Sequence, residues 1–183
     1  MPMGIEIPKS IIQAFEKSAE PIDNDYFIHA NKAISSLNQM TEDLYCWDHM
    51  SMAINALERL YKGFLKAADI HLEWYSLPII YDREGNQLDF LKKDHDLLRL
   101  YNEIKKNFPG VFPRTNREDW QKLKDLLRDM RTEYSEARYD DYPSFDNFRE
   151  VLSFVNTQQK LLEDIVKSPA FFKLGEMEHE IDV

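Results

Sequence analysis

Ala53-Ile54-Asn55-Ala56-Leu57-Glu58-Arg59-Leu60-Tyr61-Lys62-Gly63-Phe64-Leu65 is the stretch that decides the fold. Ile54, Leu57, Tyr61, Phe64 and Leu65 recur at three- and four-residue steps, the period of a helix with one buried face. The stripe reaches back to Leu44 and Trp47 and forward to Ala68, with Met50 and Leu60 widening it. Thr41 suits an N-cap, and Glu42 and Asp43 fall in the first turn, where negative charge complements the helix dipole. The segment therefore reads as one long central helix from Thr41 to about Tyr75, with Gly63 a tolerated weak point inside it.

Working outward, the same period recurs on both sides. Residues 1–9 carry two prolines and form an irregular lead-in, followed by a short helix bearing Ile11, Ile12 and Phe15 that Pro21 ends. Asp23 and Asn24 cap a second helix through Phe27, Ile28, Ala30, Ile34 and Leu37 to Met40. Beyond the central helix, Pro78 breaks the pattern. Ile79-Ile80-Tyr81 and Gln87-Leu88-Asp89-Phe90 flank the turn-forming Asp82–Asn86, so 79–90 is either a small hairpin insertion or an irregular excursion.

Asp94 is then expected to cap a helix carrying Leu97, Leu98, Leu100, Tyr101 and Ile104, stopped by Phe108-Pro109-Gly110. Asn116 opens the next, where Trp120, Leu123, Leu127, Met130 and Tyr134 keep the spacing. After a junction at Tyr134–Asp146, a last helix carries Phe145, Phe148, Val151, Leu152, Val155, Leu162 and Ile165 and ends before Pro169. These segments predict an all-α, up-and-down antiparallel bundle of about six helices in a single domain over 1–183, with an acidic tail at 168–183.

Composition agrees. The 183 residues are enough to bury one sizeable core. Five glycines and 31% charged residues suit helices better than a turn-rich sheet protein. A net charge of -10 opposes general attraction to phosphate backbones, so any nucleic-acid site must be a local basic patch. The single Cys46 cannot form an internal disulfide, and Met1–Glu6 lacks a basic segment followed by an apolar core, which predicts a cytoplasmic setting. No apolar run approaches the ~18 residues that would cross a bilayer, so no membrane association is expected.

Three pieces of the chain resemble the HEPN family, named for its occurrence in higher eukaryotes and prokaryotes, whose members are up-and-down helical bundles. Ala53–Leu65 is similar to the family pattern Ala-x-x-Ala-x-Glu-x-x-Leu-Lys. His95-Asp96-Leu97 with Leu100 resembles the His-Asp-Leu that opens the following helix. Tyr134-x-x-x-Arg138-Tyr139 resembles the Tyr-x-x-x-Arg-Tyr-Pro that ends the next, except that Asp140 replaces the proline and Pro143 comes three positions later. The resemblance covers about 41–167 and leaves 1–40 as additional N-terminal helices.

The family's ribonucleases carry an arginine followed, after four to six residues, by a histidine, a pair suited to moving a proton beside a phosphate. None of His29, His49, His71, His95 and His179 has an arginine at that distance before it. The resemblance therefore implies a non-catalytic interaction protein that forms homodimers and pairs with a separate minimal nucleotidyltransferase in a toxin–antitoxin or defence module. The alternative is a nucleotide- or RNA-binding module using Arg138, Tyr139, Tyr134, His95 and Asp96, in which the guanidinium holds phosphate and a ring stacks on a base. A divergent ribonuclease is a third reading.

Structural readings weigh against each of these residues. Arg138 also suits pairing with Asp140, Asp141, Asp96 or a helix C-terminal carbonyl, the favoured reading, and His95 suits local hydrogen bonding. Glu176-x-x-His179 is half of a di-metal motif in a tail, and Gly-rich phosphate loops are missing. Accordingly no catalytic residue, metal or cofactor is assigned. Trp47, Trp74 and Trp120 read as core or interface anchors.

Overall fold

A computed structural model of the chain describes residues 24–40, 47–114, 116–136 and 145–167. The elements are α1 (Asp25–Asn38), α2 (Trp47–His71), β1 (Ile80–Tyr81), β2 (Gln87–Leu88), α3 (Phe90–Lys93), α4 (Leu97–Asn107), α5 (Arg117–Glu136) and α6 (Phe145–Val166). The chain folds as the all-α helical bundle that the sequence predicts, with one small two-strand insertion. The short helix expected around Ile11–Phe15, the Thr41 cap, the Arg138–Pro143 turn and the acidic tail with Glu176 and His179 lie outside the described residues.

α2 is the axis, and α1, α4, α5 and α6 all pack on it. Its stripe is buried as the spacing requires: Ala53, Ile54, Leu57, Leu60, Tyr61, Phe64, Leu65 and Ala68 join Phe27, Ile34, Leu100, Ile104, Val155 and Leu162 in one core. Asn24 caps α1 through its Oδ1, which accepts from the Tyr26 and Phe27 amides at 3.1 and 3.3 Å. Its Nδ2 donates to the Gly63 carbonyl of α2 at 2.9 Å. A Cβ on Gly63 would stand 3.0 Å from the Phe27 ring. The residue that reads as a weak point in the sequence is thus what lets α1 approach α2.

Polar groups at the seams are paired across helices. Tyr61 Oη donates to Gln158 Oε1 at 2.9 Å in the buried α2–α6 seam. Asn38 and Asn156 exchange reciprocal amide bonds at 2.8 and 3.0 Å, and Gln159 Nε2 donates to Asn31 Oδ1 at 2.7 Å. Burial of a hydroxyl or amide without a partner is costly, so the enclosed Tyr61–Gln158 pair helps fix how α2 and α6 face each other. Burial pushes the Tyr61 phenol well above its ordinary pKa.

Three boundaries differ from the sequence expectation. α2 ends at His71 rather than near Tyr75, and Asp69 Oδ1 accepts from the Leu77 amide at 3.1 Å as the chain leaves the helix. Asp89 caps the single turn α3, its Oδ1 accepting from Lys92 N at 3.2 Å, and Asp94 closes that turn. Asp96, not Asp94, is therefore the N-cap of α4, with Oδ1 accepting from the Leu98 and Arg99 amides at 3.1 and 3.2 Å. Two acidic residues two positions apart both suit a cap and both have extended backbone; what decides is that the helix begins at Leu97, where only the Asp96 carboxylate meets first-turn amides.

Residues 79–90 form the hairpin rather than an irregular excursion. β1 and β2 pair antiparallel, with Ile80 opposite Leu88 and Tyr81 opposite Gln87. Asp82 holds the turn: its carboxylate accepts from Glu84 N, Asn86 N and Asn86 Nδ2 at 2.9, 2.8 and 3.0 Å. Gly85 sits at φ +85, a conformation that glycine takes without strain. The hairpin carries the chain back along α2. Glu58 meets His95, Tyr61 meets Tyr101 and Phe64 meets Phe108, so α4 runs in the same direction as α2, where a strictly up-and-down order would have it antiparallel.

Candidate functional site

Two of the three pieces that carry the family resemblance meet where α2 faces the α3–α4 link. His95 Nδ1 lies 2.9 Å from Glu58 Oε1, and the same oxygen takes the Lys62 ammonium at 2.6 Å. Lys62 is only 3% exposed, so its charge is removed from water and depends on Glu58 for compensation. His95 stands mostly in solvent. Alongside, Asp94 Oδ1 accepts from the Asp96 amide at 3.0 Å, and its Oδ2 pairs with Arg99 Nε at 2.9 Å. Arg99 also lies over the Phe90 ring, 5.6 Å from its centroid.

This arrangement supports local order more than chemistry. An imidazole oriented by a carboxylate is half of a proton-transfer device, which needs in addition a nucleophile or a cation beside the reacting group. Here Lys62 is buried against the same carboxylate, and Arg99 is occupied by Asp94. Asp96 acts as a helix cap. Of the other candidate residues, Tyr134 lies on α5 with its side chain outside the described set, and Arg138 and Tyr139 fall beyond it. The structure thus brings His95 to Glu58 and assigns Asp96 a capping role. Glu58 and Lys62 were not read as partners of His95. Their signal was the i,i+4 spacing of opposite charges at the edge of an apolar stripe.

A second feature lies on the other side of α3. An open groove of about 660 Å³ is lined by Tyr26, Lys66, Asp69, Ile70, Ile79 and Asp89, among others. β1 shows how part of its lining comes to be apolar. Ile80 packs against the core, whereas Ile79 and Tyr81, one residue to either side, are each 62% exposed, as alternation along a strand requires. Ile70, off the buried stripe of α2, is 61% exposed beside them. Charges rim the groove: the Lys66 ammonium lies 5.5 Å from the Tyr26 ring centroid, and burial, then the Asp89 carboxylate, raises the Tyr26 pKa.

No family model, no curated protein and no solved structure matches the chain.

Among the described residues, no three or more His, Cys, Asp or Glu side chains cluster to hold a metal ion, and no helix is long and apolar enough to cross a membrane. Trp74, 38% exposed, packs against Phe108 with ring centroids 5.3 Å apart, and the partly exposed Trp120 stacks on Tyr101 at 5.6 Å. The groove was not read from the sequence. Its signals were an isoleucine out of phase with its helix and an Ile-x-Tyr alternation in a two-stranded hairpin.

Proposed function

We propose that the chain is a non-catalytic, HEPN-like interaction protein that forms homodimers and docks a separate minimal nucleotidyltransferase through the groove between α2 and the hairpin. One observation supports the docking surface: Ile70 and Ile79, each more than 60% exposed, line one groove, whereas most other large apolar side chains among the described residues are buried. A desolvated apolar centre with a charged rim is the common anatomy of a protein interface. Lys66, Asp69, Asp89 and Lys92 supply that rim. The non-catalytic part rests on the missing Arg-x4-6-His pair and on a His95 engaged with a structural carboxylate. The identity of the partner rests on the resemblance of Ala53–Leu65, His95–Leu97 and Tyr134–Tyr139 to the family.

The test is gel filtration with light scattering, the protein alone and mixed with a minimal nucleotidyltransferase encoded beside it. The expected result is a dimer alone and a joint peak with the enzyme, lost for Ile70→Ser/Ile79→Ser with melting temperature unchanged. A monomer that never co-elutes with the enzyme overturns the reading.

A further inference from the structure

The strongest departure from the chain's acidic character lies on the face where α4 meets α5. From Lys105 to Asp125 there are six Lys or Arg residues and three Asp or Glu residues, against a net charge of -10 for the whole chain. The acids on this face are engaged elsewhere. Glu118 takes Lys122 at 2.9 Å, Asp119 Oδ2 accepts from Asn116 Nδ2 at 2.8 Å, and Asp125 accepts from Gln121 Nε2 at 2.9 Å. Glu103, one turn before, is held by Tyr75 Oη and Asn107 Nδ2. That leaves Lys105, Lys106, Arg114, Arg117 and Lys124 without a carboxylate partner among the described residues.

Two of these cations, Lys105 and Lys124, lie over the outer ring of an aromatic ladder. Phe112 stacks on Tyr101 with centroids 4.0 Å apart at 17°, and Tyr101 stacks on Trp120 at 5.6 Å and 27°. The Lys105 ammonium sits 3.6 Å from the Trp120 ring centroid and that of Lys124 5.7 Å from it. Arg117, Trp120 and Lys124 step by three and four along α5, so they share one side of that helix. Trp120 is partly exposed and Lys105 is in solvent, so the ammonium covers the outer part of the indole.

We propose that this α4–α5 face binds single-stranded nucleic acid, with Lys105, Lys106, Arg114, Arg117 and Lys124 taking phosphates and Trp120 taking a base. Cations spaced around a stacking ring are how sequence-tolerant single-strand sites are built. Lys105 has two positions in this scheme. Without ligand it rests on the indole, and with ligand it turns to a phosphate, a stronger charge-assisted partner, and uncovers the ring. The groove and the hairpin take no part, so this site is independent of the protein-docking reading.

Fluorescence anisotropy of the full chain with a short labelled oligouridylate, the matching oligothymidylate, a duplex of equal charge and labelled polyglutamate tests the proposal. Both single strands share the phosphate and stacking chemistry, and binding of either supports it. Five phosphate contacts predict a loss of about 100-fold in affinity for about a fourfold rise in salt. Arg114→Glu/Arg117→Glu, at exposed positions that make no contact the fold needs, is expected to lower affinity at least about tenfold. Arg83→Glu in the hairpin is expected to leave it unchanged. No binding of either single strand, equal binding of polyglutamate or the duplex, or an equal loss with Arg83→Glu overturns the proposal.

Discussion

The α1–α2–α6 seam and the hairpin platform use the same residue types in opposite ways. In the seam, Phe27, Ile34, Leu57, Phe64, Val155 and Leu162 are enclosed, and the buried hydroxyl of Tyr61 has Gln158 as its partner. On the platform, Ile70, Ile79 and Tyr81 face outward although Ile80 between the last two is packed. An isoleucine in the seam is held by the fold, whereas one on the platform leaves apolar surface in water that only a second molecule can remove. In the proposed reading the seam accounts for stability and the platform for association.

Substitutions that separate stability from association test this division, and the largest effect belongs to the seam. Phe64→Ala removes a fully buried ring packed edge-on against Phe108 at 5.1 Å and is expected to lower unfolding free energy by about 3–5 kcal/mol, read by denaturant titration. Gly63→Leu forces new atoms onto the Phe27 ring and is expected to cost about 1–3 kcal/mol by the same measurement. Tyr61→Phe, which deprives the buried Gln158 carbonyl of its donor, belongs in the same range of about 1–3 kcal/mol. Ile79→Ser comes last, within about 0.5 kcal/mol of the parent. A loss at Ile79 comparable to that at Phe64 would erase the distinction between the two regions.

The helical core as a whole and the hairpin also differ in their response to pH. Burial raises the phenols of Tyr61, Tyr75 and Tyr101 above the ordinary 10.0, that of Tyr101 to about 12. Neutral phenol is the favoured form in the fold, so this contribution is complete below pH 10.0 and is lost as pH rises toward 12. Asp82 moves the other way: hydrogen bonds from the Asn86 side chain and backbone lower its pKa below 3.8. Its contribution to the turn is present above that value and is lost as pH falls through the lowered one. Tyrosinate absorbance is expected to rise together with loss of helical circular dichroism, and hairpin amides to lose protection in acid before the seam does.

Much of the bundle was legible in the residues. The stripe from Ile54 to Ala68 named the central helix and its buried face, Asn24 and Asn116 marked helix starts, and the turn set Asp82–Asn86 made a hairpin one of two readings for 79–90. What escaped depended on contacts between distant segments. Gly63 read as a flaw because nothing local shows Phe27 arriving 3.0 Å away. Asp94 read as the cap of the next helix because nothing local shows the turn at Phe90–Lys93 that it closes. The site was less legible than the fold: His95 and Glu58 lie 37 positions apart and meet only because the hairpin returns the chain. The groove required Ile70 and Ile79 to be brought together by that same return.

Hydrogen exchange of the complex with a minimal nucleotidyltransferase tests the central claim most directly. Slowed exchange is predicted at the hairpin amides Ile79–Asp89 and at the last turn of α2 near Ile70, with the seam unchanged. Slowed exchange confined to other faces, with the hairpin exchanging as in the free protein, contradicts the assignment of the platform as the docking surface.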